Sequence, residues 1–250
     1  MGVSGAEAED VGGIVGDFSY IVEDGNIIIE AYNGSDSIVT VPASIQELPV
    51  TTIGSGAFAY NMNLQEVILP ETITSVCMEA FGYCRNLTTL SFGGNEKELA
   101  DYAFYGCNNL SNLVFPNTLE KVGCYAFCGC ESIEELVLPE DVTVLSYGVF
   151  YQCRDLKKVT LAESTTTIEA SAFGQCVSLE GVYIPASVTS IDGTAFTGCS
   201  SLARIDVDGD NETYWNTEDG VLFTKDKDKL LCCPCNYQAS TFVIFSKASL

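Results

Sequence analysis

Histidine is absent from all 250 residues. Without an imidazole the chain has no Ser-His-Asp or Cys-His nucleophile and no His-ligated metal site. Basic side chains are scarce as well: 11 Lys and Arg stand against 34 Asp and Glu, a formal net charge of −23. Such a chain cannot offset phosphate charge, so no nucleic-acid partner is expected. An anionic membrane surface would repel it, and the same self-repulsion favours a soluble surface. Long apolar runs are missing too. No stretch approaches the ~18 residues of a spanning helix, so no membrane insertion is expected of this chain. Met1 to Asp10 carry neither a basic segment nor an apolar one behind it, so they do not read as a signal peptide.

What the chain does have is a period. Phe58, Phe81, Phe104, Phe127, Phe150, Phe173 and Phe196 fall 23 residues apart. Ala precedes six of them (Val149 is the exception) and Cys follows six of them three residues on, which makes the motif a repeating unit rather than a coincidence. Apolar columns run beside the Phe column. One is Ile53, Val76, Leu99, Val122, Leu145, Ile168 and Ile191; others start at Leu64, Val67 and Leu69. The spacing of two between Val67 and Leu69 is strand periodicity. Pro70, Pro116, Pro139 and Pro185 end that strand where a missing N–H does no harm. A 23-residue unit cannot bury its own apolar face. Stacked, equivalent strands pair in parallel at about 4.8 Å, and the columns become one core with an aromatic spine. On this reading the phenylalanines lie inside, away from any ligand contact.

The chain divides accordingly. Residues 1–16 read as a flexible acidic lead-in and 17–37 as an N-terminal hairpin cap turning at Asp24-Gly25. The array occupies 38–207. Its first repeat carries an extra loop, Gln46 to Val50, that includes Pro49. Glu96 and Thr165 replace apolar residues of the column Ile73, Leu119, Val142 and Val188, and Gly93–Glu98 is expected to form a looser polar bulge. The period is expected to stop after Val207. Residues 208–240 read as a polar loop and a hairpin insertion, and 241–250 as the start of an incomplete further repeat.

Leu110 through Cys130 and Leu179 through Cys199 run L-x-x-[LV]-x-[FI]-P to A-F-x-G-C without interruption. This pattern resembles the BspA-like leucine-rich repeats of bacterial and protist surface proteins. Asp219–Phe223 resembles an insertion seen in the same proteins. The resemblance implies a repeat solenoid: a right-handed leucine-rich-repeat superhelix, β-rich, with a parallel sheet on its concave side and little helix. It also implies a cell-surface or secreted setting and adhesion to host proteins or other cells.

Other constellations admit two readings each. Cys84, Cys107, Cys130, Cys153, Cys176 and Cys199 form either a disulfide or metal ladder or a column of buried thiols; equivalent side chains project in parallel, which favours thiols. Cys232-Cys233-Pro234-Cys235 has a C-x-x-C spacing but no second pair for zinc. Asp206–Asp210 begins like a calcium loop, yet Asn211 and Thr217 stand where Gly and Glu are needed. No catalytic, cofactor-binding or metal-binding residue is assigned, no cofactor is expected, and the chain is not read as an enzyme. The remaining candidate is the outward side of the concave sheet. There Ile68, Val114, Val137, Thr160 and Tyr183 alternate with Asn112, Glu135, Lys158 and Arg204. An exposed apolar stripe rimmed by charge suits a protein partner, a host-matrix or cell-surface protein bound by a monomer. β-Propensity alone would also put such residues on a strand. The expected function is non-enzymatic recognition or adhesion, with a structural spacer in a larger surface protein as the alternative.

Overall fold

Each repeat makes one turn of a β-solenoid, and residues 12–236 are described in this computed structural model. Two parallel ladders run along it. The long-strand ladder takes Ile38–Thr40, Glu66–Ile68 and Thr89–Ser91, then Glu135–Val137, Lys158–Thr160, Gly181–Ile184 and Arg204–Val207. The short-strand ladder takes two residues per repeat, as in Ser75–Val76, Glu98–Leu99 and Lys121–Val122. Partners in both are offset by one period, Val67 with Leu90 and Leu99 with Val122. No helix occurs among the described residues.

A corner follows each short strand and carries the Phe. Two left-handed residues reverse the chain there, with φ of 53° at Glu79 and 58° at Tyr83 in one repeat. The corners also hydrogen-bond to one another: the Phe81 N–H donates to the Ala103 carbonyl at 2.8 Å, and the Phe104 N–H to Ala126 at 2.8 Å. The seven Phe rings stack 4.8 to 5.8 Å apart with interplanar angles of 18° or less. Small Ala at the preceding position leaves the rings room, and six of the rings are essentially solvent-free.

The N-terminal cap consists of β1 (Gly13–Val15), β2 (Phe18–Glu23) and β3 (Asn26–Tyr32). Gly13–Val15 therefore belongs to the cap rather than to a flexible lead-in; it pairs antiparallel with Phe18–Tyr20. Residues 1–11 of that lead-in lie outside the described residues. Asp24 and Gly25, with φ of 48° and 73°, make the tight turn between β2 and β3. β3 pairs in parallel with Leu48–Ile53 and so extends the short-strand ladder. Tyr32 continues the Phe spine, stacking on Phe58 at 5.3 Å. The segment Gln46–Val50 is not a loop. It forms a hairpin in which Ser44–Ile45 pairs with Leu48–Pro49 around Gln46 and Glu47, both at positive φ.

Two exceptions in the apolar column are settled differently. Glu96 is fully buried, and its carboxylate accepts the N–H groups of Gly93 at 2.7 Å and Gly94 at 2.9 Å. Gly93–Glu98 is accordingly a tied loop rather than a loose bulge. Gly93 is required there, because a Cβ would collide with the Pro70 carbonyl. Thr165, by contrast, buries a hydroxyl with no hydrogen-bond partner. An unsatisfied buried hydroxyl costs about 1–3 kcal/mol, and an apolar group of the same shape removes the cost. Thr165→Val should therefore raise the urea midpoint by the equivalent of ~1 kcal/mol; a lower midpoint would show that the hydroxyl is satisfied.

The period does not stop at Val207. Asn211 and Tyr214 stand one period after Val188 and Ile191 and fill their columns. Asn211 is fully buried and fully bonded. Its amide donates to the carbonyls of Pro185 at 2.8 Å and Val188 at 3.0 Å, and its oxygen accepts from the N–H groups of Thr213 and Tyr214. Tyr214–Asn216, read from sequence as polar loop, is the first strand of an antiparallel meander with Leu222–Thr224 and Leu230–Cys232. The repeat expected over 241–250 lies outside the described residues.

Candidate functional site

The long-strand ladder has a break in its middle. On either side of it the N–H at the strand's end donates to the next repeat: Leu69 to Ser91 at 2.9 Å, Leu138 to Thr160 at 3.0 Å. Among the described residues no such bond joins Phe92 to Val114 or Phe115 to Val137, and only a single bridge, Thr89 with Asn112, crosses the gap. Phe92 and Phe115 are the cause. They occupy the column that holds Leu69, Leu138 and Leu161 elsewhere. Their rings lie 6.5 Å apart, wider than any spacing in the spine, and each turns edge-on to a spine ring, Phe92 to Phe104 and Phe115 to Phe127. Two successive rings where Leu fits hold the strands open.

The break gathers part of the candidate face. Val114 is 81% exposed and Val137 68% exposed. Between them lies a cleft of about 270 Å³ lined by Leu113, Phe115, Glu135, Leu138 and Pro139. On the other side of Val114 a second cleft of about 380 Å³ is lined by Asn112, Leu90, Phe92 and Phe115 among others. Asn112, Val114, Glu135 and Val137 are thus brought together. Lys158 and Thr160 follow directly in register with Glu135 and Val137. Ile68 is half-buried and lies beyond Ser91. Tyr183 and Arg204 lie further along and already have partners. The Tyr183 hydroxyl donates to the Asp208 carboxylate, which pushes that hydroxyl's pKa up to about 12, and Arg204 pairs with Asp206.

Sequence reasoning missed a second exposed feature at the corners. Tyr60 stacks on Tyr83 at 4.9 Å, and Tyr102 on Tyr125 at 5.4 Å. Tyr105 meets both Tyr83 and Tyr102 edge-on, and Tyr147 and Tyr151 meet Tyr125 the same way. Between these rings is a cleft of about 430 Å³ with Glu79, Cys128 and Gln152 in its lining. The signal was in the corner columns, where tyrosine recurs beside the phenylalanines. Only Tyr60 with Tyr83 and Tyr102 with Tyr125 keep the 23-residue spacing, in two different positions, so no continuous column appears.

The inner face of the same corners carries the cysteine ladder. Every rung donates its S–H to the carbonyl of the Phe 26 residues earlier, from Cys84 to Phe58 at 3.0 Å through Cys199 to Phe173 at 3.0 Å. All six are buried and free. At the place where the column holds Asn61, its side-chain oxygen accepts the N–H groups of Asn63 and Leu64 instead.

A family model described as BspA type leucine rich repeat region matches in 6 copies, over residues 30–154 and 121–216. The chain belongs to this family. No curated protein matches it. Among solved structures, a leucine rich cell surface protein from Faecalibacterium prausnitzii A2-165 is 29% identical, with a TM-score of 0.83 over 93% of this chain. The chain spans 64% of the length of that protein. The T. pallidum leucine-rich repeat protein is also 29% identical, with a TM-score of 0.69 over 74% of this chain and 88% of its own. A leucine-rich repeat protein from Bacteroides ovatus shares the fold at 24% identity, with a TM-score of 0.73 over 79% of this chain and 54% of its own.

Within these BspA-type repeats the acids of Asp206–Asp210 are committed to separate tasks: Asp206 to Arg204, and Asp208 to both Tyr183 and the Asp210 N–H. Among the described residues no group of three or more Cys, Asp or Glu side chains could hold a metal ion. Nor is any described helix long and apolar enough to cross a membrane.

Proposed function

We propose that this chain is a non-enzymatic recognition module that binds a partner protein at the cell surface, as a monomer, through the long-strand face around Val114 and Val137. The observation that carries this reading is the break in the ladder. Paired strands bury their backbone and leave little to grip. Here two valines stand clear above apolar clefts, with Asn112 and Glu135 at hand for polar contacts. Apolar groups rimmed by polar ones are the usual composition of a recognition patch. β-Propensity accounts for valine on a strand but not for a strand held out of its ladder. The likeness to a leucine rich cell surface protein supports a surface setting.

The experiment is a capture screen of the purified chain against host-matrix and bacterial surface proteins, repeated with the Val114→Lys, Val137→Lys double variant. Both side chains are exposed, so the fold should persist, with an unchanged unfolding midpoint. Affinity for a captured partner should fall by about tenfold or more, the effect of removing a buried apolar anchor. A partner retained at full affinity by the double variant would turn the reading towards a structural spacer.

A further inference from the structure

The tyrosine corner is a separate surface with its own chemistry. The seven corner segments, 54–60 and its equivalents up to 192–198, contain seven tyrosines and the acids Glu79, Asp101, Glu169 and Asp192. They contain none of the chain's 11 basic residues. The long-strand face, by comparison, mixes both signs with Glu135, Lys158 and Arg204.

The corner backbone does not call for tyrosine. Tyr83, Tyr102 and Tyr125 have φ of 58°, 58° and 55°, in positions where other repeats use Gly106, Gly56 and Gly148. A left-handed conformation costs a non-glycine residue roughly 1–2 kcal/mol. Glycine would meet the demands of the corner without that cost. At Gly148 the exchange is visible: its missing Cβ is the space that the Tyr125 ring occupies. Glu79, Gln152, Ser171 and Gln175 share the left-handed backbone at other corners, so what sets these three positions apart is a half-buried aromatic ring with one side left open.

The rings form an aromatic box. Tyr83 and Tyr105 stand at 70°, Tyr102 and Tyr105 at 62°, and Tyr125 and Tyr151 at 85°, around the cleft that Glu79 and Gln152 also line. The negative faces of aromatic rings attract organic cations, and a carboxylate beside them strengthens the attraction. The same chain uses this contact internally, with the Lys227 ammonium 4.1 Å from the Trp215 ring centre. The phenols of Tyr105 and Tyr125 are held above their ordinary pKa by neighbouring groups and burial, so they remain neutral donors. The four acids fall in the second, third, sixth and seventh corners, five steps or about 25 Å at ~4.8 Å per repeat, and Asp101, Glu169 and Asp192 each also accept a corner N–H, from Cys124, Tyr147 and Thr194. That length suits a row of charges on an extended chain better than a single small cation.

We propose that the tyrosine corner binds an extended basic segment of a partner polypeptide, seating an arginine or lysine side chain in the box beside Glu79. The aromatic box supplies the specific contact, and the line of acids along the corner guides the rest of the segment. This surface is independent of the long-strand face.

The test is calorimetric titration of the full chain with a peptide of alternating Arg and Gly, against the same peptide with citrulline in place of Arg, and against a linear neutral oligosaccharide. Because a chain of net charge −23 attracts any polycation, the deciding variants leave charge unchanged. Tyr102→Gly with Tyr125→Gly removes two walls of the box and puts glycine where the backbone already favours it. The Arg peptide should bind, the double variant should weaken it about tenfold, and Glu79→Gln should weaken it further. Val114→Thr with Val137→Thr, which keeps the charge, should leave it unchanged, which separates this site from the long-strand face. Equal binding of the citrulline peptide, preferential binding of the oligosaccharide, or unchanged affinity in the tyrosine double variant would each overturn the proposal.

Discussion

Raising the pH to 10 should cost the protein about 8 kcal/mol of the stability it has well below pH 9, about 6 kcal/mol of it between pH 9 and pH 10. The cause is the cysteine ladder. Burial is the main reason its thiols resist ionisation: it pushes Cys84 and Cys199 up to about 12, and Cys107, Cys130, Cys153 and Cys176 well above the ordinary value of 9.0. In the unfolded chain the same thiols ionise near 9. A raised folded pKa means that the stabilisation is complete below the unfolded value and is lost as pH rises towards the folded one. At pH 10 each unfolded thiol gains ~1.4 kcal/mol by ionising, and six thiols act together. Tyr105 and Tyr125 are raised as well and add to the loss at higher pH, so the informative window lies below about 10. The measurement is the urea unfolding free energy at several pH values. Replacing Cys130 and Cys153 with Ser keeps a donor for the carbonyls of Phe104 and Phe127 and removes two titrations, so the ladder's share of the slope with pH should fall by about a third. A free energy that stays flat from pH 8 to pH 10 would mean that the thiols ionise in the folded chain.

Phe127→Ala should cost about 3–5 kcal/mol, the range for emptying a buried aromatic site. The ring is solvent-free and stacks between Phe104 at 5.1 Å and Phe150 at 5.8 Å. It also does something that the periodic pattern hides. It meets Phe115 edge-on at 5.4 Å, and Phe115 lines both clefts beside Val114. The spine itself is buried, but Phe127 touches the candidate face through Phe115. Phe173 is the matched control. Its neighbours are Phe150 and Phe196, both at 5.7 Å, with no aromatic contact to the clefts. Phe173→Ala should cost a similar amount and leave partner affinity intact, whereas Phe127→Ala should reduce it. Equal effects on binding from both substitutions would show that Phe115 does not transmit anything to the face.

The two Phe residues at 92 and 115 also show where sequence reading reaches its limit. Both fit the apolar rule of their column, so the pattern records them as ordinary members. Their consequence, a parted ladder, depends on two large rings falling in successive turns at one spacing. Glu96 and Thr165 looked alike as polar intrusions. One is bonded to two backbone N–H groups and the other to nothing, a difference that depends on which neighbours come within reach. Asn211 looked like the wrong residue at the glycine position of a calcium loop and is a column member with four hydrogen bonds.

By itself the sequence determined the stacked solenoid, the buried Phe spine and the thiol column. Each rests on like residues meeting like residues one period apart, and a fixed period leaves the chain one way to bury them. Only the tertiary structure decided where the ladder opens, which polar intrusions are satisfied, and that scattered tyrosines converge on one corner. Those features arise between unlike residues in adjacent turns, and their outcome depends on ring size, backbone angle and distance rather than on the repeat.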